Sequence, residues 1–206
     1  MIDKTIFLQG LDRIYENPHC ELNYSNAFEL LVAVILSAQC TDKRVNQVTA
    51  ELFKTCKTPQ DFVNISQSEL EEKIHSCGFF RNKAKAIKSA SKDIVEKFDG
   101  KVPKNFTDLT SLAGVGRKTA NVMIAEAFGG DAIAVDTHVL RVSNRLGFVN
   151  TKDANKCEEK LKKIFPKNRW SKLHYQMVLF GRYNCKAIKP DCNNCVFKEH
   201  CKSRKE

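Results

Sequence analysis

No stretch of this chain approaches the run of about 18 apolar residues that a membrane-spanning helix requires, so none is expected. The N-terminal segment MIDKTIFLQGLDRIYENP has one short apolar run, Ile6-Phe7-Leu8, carries acidic groups and lacks a small-residue cleavage site. Neither a signal nor a transit peptide is expected, and the expected location is the cytoplasm. There is no strand-and-turn rhythm, no repeat of fixed period and no Pro/Gly/Ser-rich linker. These absences exclude a β-sandwich, a solenoid and loosely tethered domains. The nine cysteines are an odd number, which in a reducing compartment argues against a disulfide framework.

Basic charge is abundant and uneven. Lys and Arg number 34 against 24 acids, a net charge of +10. Residues 1–150 hold 19 basic and 18 acidic groups, whereas residues 151–206 hold 15 and 6. Such a balance favours a polyanionic partner, most often nucleic acid, over a membrane surface, because no amphipathic anchor accompanies the charge.

Most of the chain reads as helix. Phe28 to Leu36 is almost wholly apolar and predicts a helix buried on most sides. Thr41 caps the next helix, which runs to about Phe53, and Ser66 with Glu69 opens another that Gly78 ends. Residues 81–98 show an inner stripe of Ala84, Ile87, Ser91, Ile94 and Phe98. Arg81, Lys85, Lys88 and Lys92 form the opposite, basic face, which reads as solvated. Helices follow at Asp136 to about Leu146, 153–165 and 169–183. The segment 132–135, AIAV, has the composition of a short strand but is too brief to seed a sheet.

The most informative stretch is LTSLAGVGRKTANVMIAEAFGG, residues 109–130. Gly114 and Gly116 bracket Val115 in a tight turn between two helices, and both are expected to allow positive φ. The second helix starts at Arg117, where the turn presents backbone N–H groups at the positive end of the helix dipole, a cradle for phosphate. Ala120 is small enough for the two helices to cross closely. Lys118, one residue into that helix, is either a surface lysine or a nucleophilic amine able to form a Schiff base at an aldehyde-level carbon. Asp136 follows an apolar run and reads both as a helix N-cap and as a fixed carboxylate able to activate a nucleophile or stabilise an oxocarbenium ion. His138 reads as structural.

Cys185, Cys192, Cys195 and Cys201 form a C-x6-C-x2-C-x5-C cluster. Their density implies metal ligands, and spacing alone leaves zinc and an iron–sulfur cluster about equally supported. Lys186, Lys189 and Lys198 thread the ligand loops, which are too short to hold a core of their own.

Taken together, LLVAVILSAQCTD (30–42), LAGVGRKTANV (112–122), AVDTHV (134–139) and the cysteine tail resemble the endonuclease III family of DNA glycosylases over nearly the whole chain. The resemblance implies an all-α helix-hairpin-helix fold of two domains with a DNA-binding cleft between them. One is a six-helix barrel over 22–132, and the other joins 1–21 to 133–206. It implies a [4Fe-4S] cluster on the four cysteines. It also implies a bifunctional glycosylase and abasic-site lyase that acts on damaged pyrimidines in double-stranded DNA through a Lys118 Schiff base, with Asp136 assisting. Gln39 matches the residue that plugs the emptied base stack, and Phe79 the wedge against the opposite strand. Gly114, Val115, Gly116 and Arg117 in the hairpin and Lys189 in the cysteine loop are the further candidate DNA contacts. A departure is Ala113, where the family often has Pro. A monomer is expected. A non-catalytic DNA-binding module and a redox sensor are the rival readings. The first predicts salt-sensitive binding without strand cutting, the second activity that follows oxidation state.

Overall fold

A computed structural model describes residues 2–201, 203 and 204. Among these are eleven α-helices and no strand. They divide into two compact units, one of Cys20–Phe128 and one of Met1–His19 with Gly129–Glu206.

The first unit holds α2 (Ala27–Ser37), α3 (Asp42–Thr55), α4 (Pro59–Asn64), α5 (Gln67–Ile74), α6 (Phe80–Lys97), α7 (Phe106–Ser111) and α8 (Arg117–Glu126). Its centre is α2, buried along all of Phe28–Leu36 as its continuous apolar run predicts. Helices α3, α6 and α8 pack around it. Asn26 caps its N-terminus by accepting the Glu29 N–H at 2.9 Å. Helix α4 was not foreseen, although its start is encoded in full. The Thr58 hydroxyl accepts the Asp61 N–H, the Asp61 carboxylate accepts the Thr58 N–H, and Pro59 occupies the first turn.

Helix α6 buries Ala84, Ile87, Ser91 and Ile94 as expected. Its outer face needs a correction. Lys88 is not a solvated cation: its ammonium donates to the carbonyls of Phe62 (3.1 Å), Val63 (3.0 Å) and Ile65. The end of α4 leaves these carbonyls without helical partners, and a long flexible cation from the adjacent helix satisfies them.

The second unit holds α1 (Lys4–Ile14), α9 (Thr137–Arg145), α10 (Ala154–Ile164) and α11 (Trp170–Leu179), the last continued by a π-helical turn, Phe180–Asn184. The segment 132–135 is buried but is not a strand. With no strand to pair with among the described residues, it serves as an apolar filler leading into α9. The core of this unit is aromatic. Phe7 lies 4.8 Å from Phe148, 5.2 Å from Phe197 and 5.9 Å from Phe165, between ring centroids. Phe197 comes from within the cysteine cluster and also meets Phe180 at 5.2 Å. Gly10 makes room for it, because a Cβ at residue 10 would lie 2.3 Å from the Phe197 ring. The loop Cys195–Cys201, too short to hold a core of its own, is therefore anchored in the core of this unit.

Asp12 ties α1 to the start of α11. It accepts two hydrogen bonds from Arg169, at 2.8 and 2.9 Å, and one from Gln176 at 2.9 Å, with Lys172 at 3.0 Å. The Arg169 guanidinium foremost, then Gln176 and Lys172, hold its carboxyl far below the ordinary carboxylate range. A depressed folded-state pKa contributes stability above the unfolded value, near 3.9, and that contribution disappears as pH falls further. Asp12→Asn is expected to be less stable than wild type at pH 7 and to lose less stability between pH 5 and 3. Urea denaturation at both ends of that range measures this, and parallel pH profiles would contradict it.

Candidate nucleic-acid interface and cysteine cluster

The turn between α7 and α8 is built on one close approach. Gly114 has φ +77°, and a Cβ there would stand 2.9 Å from Ala86 Cβ and 3.7 Å from Ile35 Cγ2. Both the left-handed backbone and the contact with α6 demand glycine. Gly116 differs from expectation: its φ is −86°, and a Cβ would meet nothing within 4 Å. What glycine supplies there is a bare surface in front of the helix. Gly116 is the N-cap of α8 and offers no side-chain cap, so the first N–H groups of that helix are not covered by a capping side chain. Val115 is buried, and its N–H donates to Leu112 O at 3.1 Å, so it supports the turn from beneath. Ala120 is fully buried where α8 faces the unit's interior.

Lys118 is the second residue of α8 and is exposed. Arg117, beside it, lies over the Phe106 ring at 5.4 Å. Asp136 belongs to the other compact unit. It is half-buried at the N-terminus of α9, with Oδ1 accepting the Val139 N–H at 2.8 Å. One carboxylate oxygen thus fixes the group in place and leaves Oδ2 for other work, so the capping and chemical readings of Asp136 are compatible. His138 Nδ1 lies 3.1 Å from Arg141 Nη2.

Gln39 and Phe79 both sit at exposed tips of the Cys20–Phe128 unit. Gln39 follows α2 with φ 53°, and Phe79 precedes α6 with φ 46° and 65% of its surface exposed. Lys189, in the cysteine cluster, has φ 51° and is also exposed. Left-handed backbone at a non-glycine residue is costly, and among the described residues only Asp99 otherwise shows it.

Sequence reasoning missed Lys83. It lies beneath these two tips, 6% exposed, with its ammonium donating to Leu36 O at 2.8 Å and Cys77 O at 2.6 Å. Burial lowers its pKa, while the nearby Cys40 and Cys77 thiols act in the opposite direction. The Cys77 thiol is pushed up to about 11, chiefly by burial and then by Cys40. The signal was available, because residue 83 is four before Ile87 and so falls in the apolar register of α6.

Cys185, Cys192, Cys195 and Cys201 line one cavity. Burial pushes the Cys195 thiol up, and the other three thiols lie close enough to add to the effect. Two N–H groups address sulfur, from Arg145 Nη1 to Cys185 at 3.3 Å and from the Phe197 backbone to Cys195 at 3.4 Å. Arg141 and Arg145, unremarked in the sequence, fasten the loop to α9. Arg145 donates to Lys186 O (2.7 Å) and Ala187 O (3.1 Å), and Arg141 to Cys185 O (3.0 Å) and Gly181 O (2.7 Å). Among the described residues, no three His, Cys, Asp or Glu side chains are drawn together as a closed metal-ligand set. A soft four-thiol set around one cavity, with N–H groups directed at sulfur, nonetheless fits an iron–sulfur cluster.

Residues 32–167 match the HhH-GPD superfamily of base excision DNA repair proteins. The chain is 49% identical to endonuclease III of Bacillus subtilis over 196 residues, 95% of this chain and 90% of that protein. It is 40% identical to the Escherichia coli K12 endonuclease III over 208 residues, 100% and 99% of the two chains. Among solved structures it resembles a non-covalent endonuclease III–DNA complex and a trapped endonuclease III–DNA covalent intermediate. Each has a TM-score of 0.95 and 46% identity, with 98% of this chain and 97% of the other covered.

Gly114→Ala is expected to cost about 1–3 kcal/mol, from overpacking and a strained φ. Gly116→Ala, with open space around its Cβ but at an N-cap that favours glycine over alanine, is expected to cost less, about 0.5–1 kcal/mol. Thermal denaturation of the pair compares the two, and equal losses would contradict the seat described for Gly114.

Proposed function

Because this chain belongs to the endonuclease III family of the HhH-GPD superfamily of base excision DNA repair proteins, we propose that it is a DNA glycosylase and abasic-site lyase. Its substrate is duplex DNA holding a damaged pyrimidine or an abasic site, and it cuts 3′ to that site by β-elimination. The observation that carries the reading is Lys118, an exposed amine in the first turn of a helix whose N-terminus has no capping side chain.

The chemistry follows from these groups. Proteins that act on a stacked base take it out of the helix first. In this reading Gln39 fills the gap and Phe79 presses on the opposite strand, both from exposed tips. The N–H groups of the first turn of α8 hold phosphate without side-chain charge, with Gly114 and Gly116 shaping the turn, Val115 supporting it and Arg117 adding charge. Lys118 loses a proton and its Nζ attacks the sugar C1′. The C1′–N bond forms as the glycosidic bond breaks, and the base leaves with the electron pair. Opening of the sugar ring gives an imine at C1′. Solvent water then takes the C2′ proton, the C2′–C3′ double bond forms, and the 3′ phosphate leaves with the C3′–O electron pair, which cuts the strand. The Asp136 carboxylate stabilises positive charge on the sugar and accepts the lysine proton.

Cys185, Cys192, Cys195 and Cys201 would hold a [4Fe-4S] cluster. When bound, the cluster cross-links the loop and sets its shape. Phe197 and the two arginines of α9 pre-form that loop, and Lys189 faces solvent from it toward phosphate. The same reading divides the chain into a helical barrel over 22–132 and a discontinuous domain of 1–21 with 133–206, which the two compact units support.

Borohydride reduction on a duplex carrying one thymine glycol tests the chemistry. Wild type is expected to yield a covalent protein–DNA adduct. Lys118→Gln is expected to bind the same duplex, form no adduct and cut at least about a thousandfold more slowly. Strand cutting retained by that variant would remove Lys118 from the mechanism. The purified protein is expected to be brown, with iron and sulfide each near four per chain. Stoichiometric zinc in their place would overturn the cluster assignment.

A further inference from the structure

We propose that Lys83 is a positioning residue that holds the Gln39 and Phe79 tips in one fixed arrangement. The inference rests on the reading above, in which those two residues enter the DNA. A buried lysine of lowered pKa is the usual mark of a catalytic amine. Here the geometry assigns a different role, because Lys83 is 6% exposed and its ammonium is turned inward onto two carbonyls.

The choice of carbonyls is informative. Leu36 O belongs to the last turn of α2, three residues before Gln39. Cys77 O closes the short 3-10 turn His75–Cys77, two residues before Phe79. Both are end-of-helix carbonyls that lack helical partners, and one cation satisfies both. The backbone N–H of Lys83 also donates to Phe79 O, at 3.1 Å. A single residue therefore grips the Phe79 tip on both sides and ties it to a tip 40 positions away in the sequence. Gln39 and Phe79 each keep a left-handed backbone, which persists only where the surroundings over-determine it. The interhelix packing of α2 on α6 rests on apolar side chains, and Lys83 adds to it a polar clamp at the level of the tips. The Cys40 and Cys77 side chains lie beside the clamp.

The experiment compares Lys83→Met, Lys83→Arg, Gln39→Ala and Phe79→Ala with wild type, all checked for folding by circular dichroism and cluster absorbance. Three readouts are taken. They are single-turnover excision of thymine glycol from duplex DNA, cleavage of an abasic site in a single strand, and fluorescence of 2-aminopurine opposite an abasic analogue. Lys83→Met is expected to lower duplex excision and the fluorescence rise by about tenfold while single-strand cleavage stays within about twofold. Lys83→Arg, which keeps the donors, is expected to recover most of the loss. Equal losses on both substrates, or wild-type excision and fluorescence in a folded Lys83→Met, would overturn the inference. If Gln39→Ala and Phe79→Ala are themselves without effect, the plug-and-wedge reading fails and takes the role of Lys83 with it. If they show the duplex-specific loss and Lys83→Met does not, only the inference fails.

Discussion

The contact of Gly114 with Ala86 is the constraint on which presentation of Lys118 depends. With a hydrogen in place of a side chain, the turn sits directly on α6 and within van der Waals reach of Ile35 on α2. The turn is thereby tied to the most buried helix of its unit, and α8 starts from a fixed point. Val115 below and Gly116 above complete the division of labour: one anchors, the other keeps the surface bare.

Lysine plays two opposed roles in this molecule. Counting cations gives a strongly basic chain, and that count correctly points to a polyanion. Lys83 and Lys88 do not belong to that surface. Each places its ammonium on carbonyls exposed by the end of a helix, Lys83 beneath the tips of α2 and the 3-10 turn, Lys88 at the end of α4. A buried ammonium is costly unless fully hydrogen-bonded, and helix C-termini supply acceptors already oriented outward. The helical ends that carry Gln39 and Phe79 are thus held by polar groups, while the helix bodies are held by apolar ones.

The cysteine loop is supported on two sides before any cluster is considered. Phe197 enters the aromatic core through the gap that Gly10 leaves, and Arg141 and Arg145 bind the loop carbonyls from α9. The helix that Asp136 caps is therefore the helix that fastens the cysteine loop. Carboxylate and loop share one rigid element, so their separation is set by backbone geometry and not by the loop.

The sequence by itself determined most of the helical elements, though not α4, together with the hairpin and the four-cysteine set. Each depends on local chemistry: apolar period on α6, a capping side chain at Ser66 or Asp136, two glycines around Val115, the spacing of the thiols. It also marked Lys118 and Asp136 as candidates, because both stand beside local signals of helix starts. It did not distinguish Lys88 from Lys85, because a helix face reads as solvent until its neighbour is known. Nor did it separate the roles of Gly114 and Gly116, which differ only in what stands next to each. Lys83, Gly10 and the two arginines of α9 act on partners far away in the chain. Only the tertiary structure decided their roles, since a hydrogen bond or a close contact between distant segments leaves no local period, cap or spacing from which it could be read.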